Sequence, residues 1–291
     1  MPAIGSALDD AEGSAVPDGL TVIDAHVHLF PPRLFDAIWR WFDTHAWKIR
    51  YRLHAEEVVE FLVRRGVHRF CALHYAHKPG MARSLNAFVA EIARAHREVI
   101  PLATVFPGEP EAKSIVKDAL GTLGLRGVKL HCHVQRMAAD DPRLDDVYAL
   151  CEDMQRPVVI HAGREPSSDA YGIDTRALCA AAQIERVLQR FPRLPLIVPH
   201  LGMDEFDDYA RLLDRHENLW LDTTMAIAGF HFPDAPTSLF PARAARLLYG
   251  TDFPNIPFAW DRELRRAYAV VPEPARKAYF EENAKRLFAI D

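Results

Sequence analysis

The strongest constraint on this chain is a rhythm. Short apolar runs recur along almost its whole length, with longer amphipathic segments between them. The runs are 21–26, 68–74, 99–106, 125–131, 157–161, 195–200, 218–223 and 246–251. Several are nearly all apolar, and a strand without a polar face is one covered on both sides, as in a parallel sheet. The intervening segments, about 55–66, 82–97, 110–122, 143–155, 175–191, 204–216, 236–244 and 261–268, read as helices, and a last one spans about 273–288. Eight strand–helix repeats in 291 residues predict an α/β fold, a (β/α)8 TIM barrel. An open doubly wound sheet fits less well. Candidate site residues end the first, fifth, sixth and eighth strands rather than gathering at one switch point.

Composition narrows the partners. An apolar content of 49% suits a large core, and a formal charge of −5 supplies no basic field for nucleic acid or an anionic membrane. The four cysteines, Cys71, Cys132, Cys151 and Cys179, are scattered without a C-x-x-C, which argues against a disulfide framework or zinc knot. Cys132 lies between two histidines and reads as a small buried thiol. Residues 1–20 read as a flexible N-terminal arm without signal-peptide character, and 21–291 as one barrel domain. A soluble, cytoplasmic protein acting on a small molecule is the expectation.

The chemistry-bearing residues sit where barrel enzymes keep theirs. His26 and His28 are two apart in a β-branched run, so their side chains point to one face and converge. A metal ion is the usual reason to bring two neutral imidazoles together. His161 ends Pro157-Val-Val-Ile-His161, His200 ends Leu196-Ile-Val-Pro-His200, and Asp252 follows Leu247-Leu-Tyr-Gly-Thr. All lie at the carboxyl ends of apolar runs, the catalytic face of a barrel. Histidine and aspartate without thiolate suit zinc, manganese, iron or nickel, with zinc first on abundance. His200 is well placed as a further base.

Together these motifs carry a resemblance. Asp24-Ala-His-Val-His28, Gly127-Val-Lys-Leu-His131, Ile160-His-Ala-Gly163, Pro199-His-Leu-Gly202, Gly250-Thr-Asp-Phe-Pro254 and Glu282-Asn-Ala-Lys-Arg-Leu-Phe288 resemble the amidohydrolase superfamily. More narrowly they resemble its amidohydrolase-2 branch, which includes the aminocarboxymuconate-semialdehyde decarboxylase-like proteins. The resemblance runs in order from about residue 21 to 288. It implies a metal-dependent hydrolase with His26, His28, His161 and Asp252 as ligands to one divalent ion, usually zinc. It implies that His200 transfers a proton or polarises the substrate, and that Asp252 also accepts the proton of the activated water. Other branches place a carboxylated lysine in the fourth strand to bridge two metals, which makes Lys129 a candidate bridge. The alternative for Lys129 is an interior ammonium paired with a carboxylate.

Other positions have two readings. Arg164 is either a clamp for a substrate carboxylate or the partner of Glu165 or a helix carboxylate. His131 is a candidate substrate contact, and His74 and His77 either face the pocket or are surface or loop-capping histidines. Asp222 either orients a histidine ligand through its second nitrogen or caps a loop, the latter being the expectation. The insertion at about 29–54 holds Phe30, Trp39, Trp41, Phe42, Trp47 and Tyr51. It is either a lid, with Trp41 at the substrate, or a rim helix, and its apolar surface also fits a homodimer contact.

The expected reaction is hydrolysis of a small carboxylated compound, an amide, lactone or related bond. Non-oxidative decarboxylation of an aromatic or unsaturated acid is the alternative within the same branch. A barrel that only binds a ligand is the alternative outside catalysis, and it leaves five site residues at four strand ends unexplained.

Overall fold

A ring of parallel strands must satisfy its backbone groups all the way round, and this chain does so. The computed structural model describes residues 15–164, 167–231, 237 and 239–291. The strands are β1 (Ile23–His28), β2 (Arg69–Leu73), β3 (Val99–Pro101), β4 (Ala103–Thr104), β5 (Val128–His131), β6 (Val158–His161), β7 (Leu196–Val198), β8 (Leu219–Asp222) and β9 (Leu247–Leu248). They pair in parallel as β1-β2-β3 and as β4 through β9. The strand expected over 99–106 is met as two short pieces, β3 and β4, in one continuous stave. Pro101 between them lacks an N–H, so one ladder bond is missing beside it. Beyond it the Leu102 N–H donates back to Ala72 O (3.2 Å), and the Ala103 N–H donates forward to Gly127 O (2.8 Å).

The last segment closes on the first. The Ala25 N–H donates to Tyr249 O (2.8 Å), the Asp252 N–H to His26 O (2.9 Å) and the His28 N–H to Phe253 O (2.8 Å). The result is the expected eight-stave (β/α)8 barrel, with β3 and β4 sharing one stave. Its interior changes character along each strand. Ile23, Ala25, Cys71, Ile100, Val159, Ile197, Trp220 and Leu248 form one apolar cluster, joined by Ala284, Leu287 and Phe288 near the C-terminus. Two residues further along β6 and β8, the same inward face carries His161 and Asp222. A second, larger cluster fills the layer between strands and helices. The site thus rests on an apolar floor.

Helices depart from expectation at instructive places. The insertion holds a 14-residue helix, α1 (Pro32–His45), with proline in its first turn, where the missing N–H costs nothing. Phe35 and Trp39, four apart, bury one face of α1 with Phe30 and Ile49 in a satellite core. The helix expected over 175–191 is broken into Thr175–Leu178 and Ala181–Arg190, and Asp174 caps the first piece. Part of the 236–244 expectation, residues 236 and 238, lies outside the described residues, and a short helix covers Leu239–Arg243. Residues 1–14 of the expected arm also lie outside them. From Val16 the arm is docked, not loose: its N–H donates to Arg65 O (2.7 Å). Among the described residues, no helix is long and apolar enough to cross a membrane.

Candidate metal centre and active site

The carboxyl ends of the strands gather the sequence-identified residues around an inner pocket of about 50 Å³. His26, His28, Lys129, His131, His161, His200 and Asp252 all line it. Backbone strain helps to aim two of them. His200 (φ 58°) and Asp252 (φ 70°) occupy the left-handed region, which costs a non-glycine residue about 1–3 kcal/mol. Fixed bonds hold them there. The His200 N–H donates to Asp222 Oδ1 (3.0 Å), and the Asp252 N–H donates to the β1 backbone. Gly250 makes room for this closure, since a Cβ there would lie 2.2 Å from Thr224 Oγ1 and 3.0 Å from His26 Cβ.

The hydrogen bonds determine where each imidazole keeps its lone pair. Carbonyls and carboxylates only accept, so a ring nitrogen facing one must donate. His26 Nδ1–H donates to Asp222 Oδ2 (2.9 Å), and His28 Nδ1–H donates to Leu73 O (3.3 Å). His200 Nδ1–H donates to Thr224 O (2.8 Å). In a neutral His200, Nε2 is then an acceptor, and His161 Nδ1, 3.0 Å away, must supply the proton. His161 is left with a lone pair on Nε2, which is buried and has no hydrogen-bond partner.

Three Nε2 atoms, those of His26, His28 and His161, are thus freed by bonds on the opposite nitrogen. Burial, reinforced by Lys129, pushes the His26 imidazole down to about 4. Burial, with His131, His133 and His200 nearby, holds His161 well below the usual imidazole range. Burial also lowers His200. Asp252 Oδ1 lies 3.3 Å from His26 Nε2 and 2.9 Å from His28 Nε2. A lone pair facing a carboxylate at such distances needs a positive charge between them. Burial works to raise the Asp252 carboxyl, but His28, His26 and His200 outweigh it and hold it far below the usual carboxylate range. The residues present therefore fit a divalent cation.

Distance alone suggests a different grouping. Donor atoms of His26, His200 and Asp252 lie within 4.8 Å of one another. The proton count weighs against His200, because its Nε2 is already engaged by His161 while His161 Nε2 has nothing.

Asp222 is more than the loop cap expected of it. Its carboxylate accepts from the His26 ring, the His200 N–H and the Thr224 N–H (3.2 Å), so one buried group orients two histidines. Burial would raise it, yet His26, His200 and Thr224 keep it below its ordinary value. Among the described residues Lys129 Nζ, buried at the inner pocket, has no hydrogen-bond partner and no paired carboxylate. Burial lowers the amine to about 8, against the pull of Asp222 and Asp252.

An outer chamber of about 770 Å³ adjoins the inner pocket, and Phe42, Tyr75, His131 and Tyr171 line both. Trp41 lines the outer chamber and packs on Tyr171, with ring centroids 5.0 Å apart. One helix serves two faces: Phe35 and Trp39 build core, while Trp41 and Phe42 line the chamber. His77 also lines it.

Arg164 and His74 are held by protein partners and line neither cavity. For Arg164 this favours the reading of a carboxylate partner over a clamp: Nε and Nη2 engage Asp204 (2.8 and 3.2 Å), and Nε lies 3.4 Å from Glu205, while Glu165 lies outside the described residues. Asp204 is 40 residues away in sequence, with Glu205 next to it, so nothing beside Arg164 announced them. His74 is a scaffold residue that lines neither cavity. Its Nε2–H donates to Asn86 Oδ1 (3.1 Å), and Asn86 Nδ2 bonds Thr104 O (3.0 Å). Tyr75, Tyr171, His133 and Arg136 escaped the sequence reading. Arg136 had the signal used for Arg164, an arginine shortly after a strand-ending histidine. All four cysteines are buried and free.

Comparison with known proteins completes the picture. A family model described as amidohydrolase matches residues 23–290. An uncharacterized TIM-barrel protein from Bordetella bronchiseptica superposes with a TM-score of 0.70 at 24% identity, over 93% of this chain and 99% of its own. A 5-carboxyvanillate decarboxylase from Novosphingobium aromaticivorans, solved with manganese and 4-hydroxy-3-methoxy-5-nitrobenzoic acid, gives 0.66 at 15% identity, over 95% and 98%. A probable 2-pyrone-4,6-dicarboxylic acid hydrolase from Acinetobacter baumannii, solved with citric acid, gives 0.63 at 14%, over 93% and 100%. At these identities the likeness is one of fold. No curated protein matches the sequence.

Proposed function

This chain belongs to the amidohydrolase family, and on that premise we propose that it is a metal-dependent hydrolase of a small carboxylated organic molecule. The observation that carries the reading is the proton arrangement: three imidazoles present free Nε2 lone pairs and Asp252 lies against two of them. His26, His28, His161 and Asp252 would hold one divalent ion, zinc by preference, with manganese, iron or nickel as alternatives. When bound, such an ion supplies Lewis acidity, which polarises a carbonyl or lowers the pKa of water towards ~7.

The remaining chemistry belongs to the chain. Asp252, kept ionised, accepts a proton from the attacking water at a carboxylate oxygen. His200 is held through Nδ1 on Thr224 O and has its acceptor atom at Nε2. That tautomer suits taking up a proton and delivering it to the leaving atom once the substrate displaces the His161 Nδ1–H that now occupies Nε2. Lys129 places a cation beside the same space, where developing negative charge is stabilised in a dry pocket. Phe42, Tyr75 and Tyr171 limit the entry of bulk water.

Elemental analysis of the purified protein, followed by assay of lactones, amides and aromatic acids with and without chelator, tests the proposal. A ring-opened acid or freed amine, lost on chelation and restored by metal, supports hydrolysis. Release of carbon dioxide instead would make the protein a decarboxylase. Turnover indifferent to chelator would overturn metal dependence.

A further inference from the structure

The two cavities differ in volume so much that they set the shape of the substrate. The inner pocket, about 50 Å³, exceeds the ~30 Å³ share of one liquid water but falls well short of the ~150 Å³ cavity that accepts a benzene ring. It admits a slim polar group and no aromatic body. The outer chamber, about 770 Å³, is of the size that holds a whole small ligand. The passage between them is a collar of Phe42, Tyr75, His131 and Tyr171. Tyr75 stands edge-on to His131 (4.9 Å between centroids), and Tyr171 edge-on to His133 (5.0 Å). Such rings grip a flat or apolar stem.

The wall of the outer chamber carries a cation. Arg136 lines the outer chamber and ends the helical turn Cys132–Gln135 in the left-handed region (φ 53°), uncommon outside glycine. The turn beneath it is pinned. Gln135 Nε2 donates to Ala76 O (2.9 Å) and Val105 O (2.8 Å), while its Oε1 accepts from the His131 N–H (2.9 Å). The Arg136 guanidinium passes Gly172, where an added Cβ would already lie 3.7 Å from it. Arg143, also on the chamber wall, is engaged by Asp141 (2.6 Å), and Arg164 by Asp204. Among the described residues Arg136 has no carboxylate partner.

We propose that the substrate is an elongated acid: its reacting group passes the collar into the inner pocket, its apolar body fills the outer chamber, and a distal carboxylate docks on Arg136. Arg136 is then the specificity-determining cation that Arg164 is not. This rests on the inner pocket being the reacting site, as proposed above.

Binding of benzoate, biphenyl-4,4′-dicarboxylate and its monoamide, followed by calorimetry on the whole protein, tests the inference. Each is measured with metal and after chelation, so that the outer chamber is read even if metal-dependent hydrolysis fails. The dicarboxylate is expected to bind at least ~10-fold more tightly than either benzoate or the monoamide, the scale of one charge-assisted contact. Arg136→Met and Arg136→Gly both remove the cation, and the glycine also suits the left-handed backbone, which keeps that variant folded. In both, the preference for dicarboxylate over monoamide is expected to fall to near unity, and Arg136→Lys retains part of it. A dicarboxylate that binds no better than benzoate overturns the elongated substrate. A dicarboxylate-to-monoamide ratio unchanged in both cation-free variants overturns the role of Arg136.

Discussion

His161 Nδ1 and His200 Nε2 lie 3.0 Å apart, and the direction of that hydrogen bond separates a ligand from a base. His200 has spent its own ring proton on Thr224 O, so His161 donates and keeps its Nε2 lone pair. In His200→Asn, turnover is therefore expected to fall by ~10²-fold or more, the scale of a lost acid–base group, while metal content stays near that of the parent. Elemental analysis and steady-state kinetics on one preparation check this. Loss of metal along with activity would make His200 a ligand.

Asp222 acts on the site without facing the substrate, because it fixes the His26 ring and the His200 backbone together. Asp222→Ala leaves His26 free to rotate or change tautomer. Metal affinity is expected to drop by ~10–100-fold, as for other lost partners of a ligand histidine. Competition with a chromophoric chelator measures it, and an unchanged affinity would reduce Asp222 to a loop cap.

His74 links scaffold to acid stability. Burial lowers its pKa from 6.5 to about 4, partly opposed by Asn86. As pH falls below about 6.5 the unfolded chain takes up a proton that the folded ring refuses until about 4. Stability is thus full above 6.5 and declines below it, by about 2 kcal/mol between pH 7 and pH 5 from this group. Urea unfolding of His74→Gln at the two pH values should show a smaller decline than the parent. Equal declines would mean that other buried histidines carry the whole effect.

Trp41 faces the outer chamber and packs on Tyr171. Trp41→Ala is expected to alter KM while leaving the solution mass by light scattering as in the parent. A parent oligomer that splits in the variant would assign α1 to assembly, the homodimer contact that its sequence also allowed.

Much of this was legible because it is local. Alternation in a strand put His26 with His28 and Lys129 with His131 on common faces, and apolar runs located the carboxyl ends where His161 and Asp252 sit. What escaped depends on distant partners. Arg164 and Arg136 look alike in sequence; the pairing of Arg164 with Asp204 arises only when loops 40 residues apart meet, and among the described residues Arg136 meets no carboxylate. Tyr75 and Tyr171 are ordinary loop residues until the barrel brings them beside one pocket.

The central claim is that the freed lone pair of His161, with His26, His28 and Asp252, binds one metal ion. The most direct measurement is the metal-to-protein ratio of the parent and of His161→Ala after identical metal loading and desalting. The account predicts close to one ion per chain in the parent and a small fraction of that in the variant. A parent that takes up no metal, or a His161→Ala protein that keeps a full equivalent, would contradict it.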